Sequence, residues 1–225
     1  MVIFLSTLIP LIAALLGGIV TAYRPPSEQI RSVIQHFAAG IIFSAAAVEL
    51  LPNIIHVNAI LPTMIGFVLG IFAMIGLQYA EVRIQGQTGL VITAAFDVFI
   101  DGFVLGLSFL HGTKQGMLMT IALTVEILFL GLSVASTLQD SSRMRTIMIT
   151  MGVALALPAG VAVSLLLTGL SQPTLSSFYA FGLIALLYLV TEELLVEAHE
   201  VKEQVYMPPA FFVGFVLLIL LEELL

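Results

Sequence analysis

No cysteine and no tryptophan occur among the 225 residues, and only 9% of the chain is charged. The missing cysteines exclude disulfides, thiolate metal ligands and cysteine nucleophiles together. Carboxylate, imidazole, hydroxyl, thioether and backbone groups are left as the whole chemical inventory. The scarcity of charge excludes a water-facing globular domain, in which about a quarter of the residues are charged. Basic residues are scarcer still, seven Lys and Arg against 14 Asp and Glu, for a net charge of −7. They are scattered along the chain, so no basic stripe exists to meet phosphates, and nucleic acid is excluded as a partner.

What is abundant is apolar: 60% of the residues are hydrophobic and the mean hydropathy is +1.16. A spanning helix needs roughly 20 apolar residues. Gly, Pro and charge divide the chain into eight such stretches, near 3–23, 32–54, 57–80, 89–110, 116–138, 146–170, 175–198 and 209–225. Membrane-barrel strands would alternate apolar and polar residues over about ten positions, and these runs do not. The predicted fold is therefore all-α, a polytopic membrane bundle of eight transmembrane helices forming a single domain over 1–225. Lys and Arg beside a span favour the cytoplasmic side. Arg24, Arg31, Arg83, Arg143, Arg145 and Lys202 lie in or beside odd joints, and Lys114 alone lies in an even one. Both termini are thus expected outside. No basic segment precedes the first span, which reads as an anchor rather than a cleaved signal.

A charge at the bilayer centre costs about 2.5–3.5 kcal/mol on insertion scales, so intramembrane carboxylates are functional candidates. Asp97 and Asp101 share one face of the fourth span and Glu126 lies in mid-fifth. Asp101 and Glu126 are each followed by Leu-Gly-Leu-Ser, beginning at Leu105 and at Leu130. At about 1.5 Å per residue both acids lie near mid-membrane depth. The three carboxylates are therefore expected to converge, and like charges in so dry a place require either protonation or a cation. No intramembrane Lys or Arg stands by as counter-ion, which favours a metal cation. Glu49 lies near the outer end of the second span, and Glu192, Glu193, Glu197 and His199 near the inner end of the seventh, marking a route across. Glu49-Leu50-Leu51 and Glu193-Leu194-Leu195 on oppositely running helices are what an inverted repeat would produce, although Glu-Leu-Leu recurs at Glu223. His36 reads as an interfacial hydrogen-bonding residue, His56 and His111 as solvated, Glu222 and Glu223 as a wet terminus, and the Met residues as packing.

These residues, over nearly the full length, resemble the ZIP family of divalent metal transporters. Asp97-Val98-Phe99-Ile100-Asp101-Gly102, then Gly106, is similar to the family's fourth-span His-Asn-x-Pro-Glu-Gly with a later Gly. The resemblance implies a metal site between the fourth and fifth spans, built here from Asp97, Asp101 and Glu126. On the fifth span Glu126 best matches the family's acid, a register supported by the repeated Leu-Gly-Leu-Ser; the alternative is a shift that puts Leu130 there and Gly131 at its glycine. Where the family often has a second metal position, this chain carries Val98, Leu123 and Leu157-Pro158. All-carboxylate ligation leans towards harder ions such as manganese, iron(II), magnesium or calcium, and the family likeness towards zinc or iron.

The expected function is inward movement of a divalent cation (zinc, iron or manganese) across a cell membrane, the bacterial inner membrane by the resemblance. The cation is substrate, and no tightly bound cofactor is expected. Metal ion and lipid are the expected partners, with a homodimer implied by the resemblance. The alternative is a proton-linked transporter of another solute, or a non-transporting membrane protein whose buried acids are protonated. An enzyme is not expected: Asp97 and Asp101 share a helix rather than facing each other as a protease pair, and Ser108 and Ser133 lack an adjacent base.

Overall fold

The structure, a computed structural model, describes residues 2–84, 86–138, 142–202 and 204–225, with the side chains at 81, 82 and 137 left aside. It is all-α: among the described residues there is no strand. Eight helices follow the expected spans, α1 (Val2–Tyr23), α2 (Glu28–Ile55), α3 (Ile60–Arg83), α4 (Gln87–His111), α5 (Thr113–Thr137), α6 (Arg143–Leu165), α7 (Gln172–His199) and α8 (Pro209–Leu224). The first seven are long and apolar enough to cross a bilayer, which makes the chain a multi-pass membrane protein. The eighth, at 16 residues, is about 24 Å long, less than the roughly 30 Å of a hydrocarbon core. The sixth ends at Leu165 rather than 170, because its last turns tighten to i→i+3 bonds before Gly169 at φ 88°.

Local chemistry sets these boundaries. Ser27, Ser142 and Ser171 cap α2, α6 and α7, each hydroxyl accepting from the N–H three residues on. Prolines explain two interruptions. Pro52 offers no N–H to the preceding turn, and α2 widens to a π turn at Ala46–Leu50 just before it. Pro158 likewise follows the break at Leu155 in α6. A second π turn, Leu189–Leu194 in α7, has no proline after it and contains Thr191, Glu192 and Glu193. Both π turns contain or abut the Glu-Leu-Leu sequences of α2 and α7. Large apolar side chains such as Phe4, Ile12, Phe72, Leu166 and Phe212 cover the outside, where lipid rather than water is the fitting solvent.

The helices pack as two groups. One joins α1, α4, α5 and α6, and the other α2, α3, α7 and α8, with α2–α5, α3–α4 and α4–α7 contacts between them. Exchanging α1 with α6, α2 with α7, α3 with α8 and α4 with α5 turns every major packed pair into another or, for α1–α6, α2–α7 and α4–α5, into itself. Exchanged helices run in opposite directions, so the bundle is an inverted repeat. Two glycine crossings fix its register. A Cβ on Gly102 of α4 would strike the Leu157 carbonyl of α6, and one on Gly160 the Phe99 carbonyl; a Cβ on Gly131 of α5 would strike the Ala14 carbonyl of α1, and one on Gly17 the Leu128 carbonyl. In both crossings the carbonyl struck belongs to the third residue before the partner glycine. Gly102 therefore corresponds to Gly131, Asp97 to Glu126, and Asp101 to Leu130. The Leu-Gly-Leu-Ser likeness is displaced from this register by about one helical turn, and the structural correspondence is the one that sets Leu130 opposite an acid.

Candidate functional site

The close α4–α6 contact at Gly102 turns the neighbouring face of α4, which carries Asp97 and Asp101, towards α5 and α7. Asp101 and Glu126 are 2% and 1% exposed, and their carboxyl groups lie near enough to act on each other directly. Among the described residues no donor reaches Asp101 Oδ2 or either Glu126 oxygen. Carboxylates only accept, so a direct contact between the two needs a shared proton or a cation. Asp97, 8% exposed, stands one turn inward, and Glu193 of α7 lies near enough to act electrostatically on both members of the pair.

Glu126, but not Asp101, stands in the wall of a cavity of about 300 Å³, space for about ten waters. Asp97, Glu126, Glu192, Glu193, Glu197 and Glu200 line it, with Gln78, Thr93 and Ser133, and no Lys or Arg is in its wall. A void of about 10 Å³ touches Asp97, Asp101, Glu193 and Tyr188, the size of a single water. Every helix segment around the cavity is the half nearer the arginine-bearing joints, so the cavity opens at the end expected to be cytoplasmic. Towards the other end the passage is filled: Leu50, Val104, Leu105, Met119, Ala122 and Leu123 have no exposure. There Lys114 of α5 pairs with Glu222 of α8 at 3.2 Å, bridging the two helix groups beside buried Glu49.

The structure thus brings Asp97, Asp101 and Glu126 to one place and lines the cavity below them with Glu192, Glu193 and Glu197. As the side chains stand, no three His, Asp or Glu among the described residues are gathered as ligands of one ion. Glu49 is separate, on the outer side of the seal. His199 lies at the inner end outside the cavity wall, against His36. Val98, Leu123 and Leu157, where a second metal position would lie, are fully buried. Glu222, expected to be a wet terminus, is an ion-pair partner. Gln78, Thr93, Ser133 and Glu200 escaped the sequence reading; of these, only Ser133 carried a signal, as the end of the repeated Leu-Gly-Leu-Ser. No family model matches this chain, and no characterised protein matches it.

Proposed function

We propose that the chain carries a divalent cation across the membrane, from the side of Glu49 and Lys114 to the side of the carboxylate-lined cavity. The observation that carries this reading is the Asp101–Glu126 pair, buried with no donor among the described residues, beside a cavity lined by carboxylates. Asp101 and Glu126 bind the ion, Asp97 and Glu193 add field and ligands, and Glu192 and Glu197 receive it on release. A proton replaces the ion between the two carboxyls when it leaves, so transport exchanges cation for proton. The two helix groups rock against each other, and the arrangement described is the inward-open one. All-oxygen ligation suits manganese and iron(II) best. The likeness to ZIP transporters, the bacterial inner membrane as location and a homodimeric assembly belong to the same proposal.

The test is uptake of manganese, zinc and iron into proteoliposomes by the unmodified protein and by Asp101→Ala and Glu126→Ala. Uptake is expected to fall at least tenfold in both variants, and equal uptake by all three proteins would remove the site. The shared-proton contact also favours a second reading, a proton-linked carrier of another solute. Manganese separates the two: only a cation site gains melting temperature in its presence.

A further inference from the structure

A second polar cluster lies at the inner end, where the start of α2 meets the end of α7. His36 is 2% exposed, its Nδ1 is 2.8 Å from the Ser32 carbonyl oxygen, and its Nε2 is buried without a partner. His199 places its Nδ1 2.5 Å from the Leu195 carbonyl oxygen. The two rings are 5.1 Å apart between centroids and inclined at 64°. A carbonyl oxygen only accepts, so each Nδ1 carries a proton, and Nε2 is the nitrogen of each ring that can coordinate. That is the arrangement of a metal-ligating imidazole, whose other nitrogen donates to a backbone carbonyl or carboxylate. With Zn–N bonds of about 2.0–2.1 Å and tetrahedral angles, two rings bound through Nε2 have centroids about 5 Å apart, as these do. Next to His36, Gln35 Nε2 donates to Glu197 Oε2 at 2.6 Å and draws that cavity-lining carboxylate towards the same crossing.

We propose that His36 and His199 form a site for a divalent transition cation of the zinc class at the inner mouth of the cavity. The pair supplies two ligands and water completes the set, since no three side chains among the described residues already surround one point. Imidazole selects zinc, nickel or copper over magnesium and calcium, so the preference here differs from that of the all-carboxylate pair at mid-membrane. The site stands on its own residues and holds whether or not Asp101 and Glu126 carry an ion.

The full chain in detergent, stripped of metal and carrying Asp101→Asn with Glu126→Gln to silence the mid-membrane pair, is titrated with zinc chloride and measured by zinc X-ray absorption. One bound zinc with two imidazole ligands is expected, unaffected by excess magnesium or calcium. His36→Gln and His199→Gln each weaken it at least tenfold and remove imidazole scattering, whereas His56→Gln and His111→Gln leave it unchanged. Should His36→Gln not fold, His199→Gln, altering an exposed side chain, decides alone. Unchanged zinc binding in folded His199→Gln, or an all-oxygen zinc shell, would overturn the site.

Discussion

Asp101 and Glu126 form a contact that two carboxylates cannot make by themselves. An amide in place of either acid supplies the missing donor. Asp101→Asn and Glu126→Gln are therefore expected to keep or gain stability, by about 0.5–1.5 kcal/mol for one buried hydrogen bond, while uptake falls at least tenfold. Melting curves without added ions, beside uptake, check this; a loss of stability in both variants would mean the contact is not as described. Leu130 makes the complementary case. It corresponds to Asp101 in the inverted repeat and lines the cavity. Leu130→Asp should add a further carboxylate and tighten manganese binding in a calorimetric titration, and unchanged affinity would count against the glycine-derived register.

The close crossings at Gly102–Gly160 and Gly17–Gly131 hold α4 and α5 in place, so the site depends on them. Gly102→Ala and Gly160→Ala push a methyl group into backbone, for an expected destabilisation of about 1–3 kcal/mol. Gly152, on the same helix as Gly160, has nothing within 4 Å of an added Cβ, and Gly152→Ala should be neutral or mildly stabilising in the same thermal scan. Much at this scale was legible in the sequence. Apolar runs of spanning length fall close to the observed helices, because lipid allows few other backbone solutions. The α4–α5 register was not legible. A helix shows nearly the same face after four residues, so the Leu-Gly-Leu-Ser likeness and the true correspondence, about one turn apart, look alike until α1 and α6 are in place.

For the whole molecule, the acids at mid-membrane and along the inner cavity could be read from their cost in lipid. Contacts between distant segments could not: nothing in the sequence joins Lys114 to Glu222 or His36 to His199. The Lys114–Glu222 pair is more than a third exposed on both sides, so it contributes at most about 1 kcal/mol. Lys114→Gln should leave the melting temperature unchanged and favour the outward-open state by no more than about fivefold. Because the chain has no cysteine, a single Ala122→Cys in the outer seal reports this directly. Labelling from the Lys114 side should speed up in the Lys114→Gln background, and an unchanged rate would mean the pair does not hold that side shut. The transport reading rests on a cation sitting between the two buried acids. The most direct measurement is anomalous scattering from crystals soaked in manganese. The expected result is a peak at coordination distance, about 2.0–2.6 Å, from oxygens of both Asp101 and Glu126. Saturating manganese with no peak there, and the two carboxyls still in contact with each other, would contradict the account.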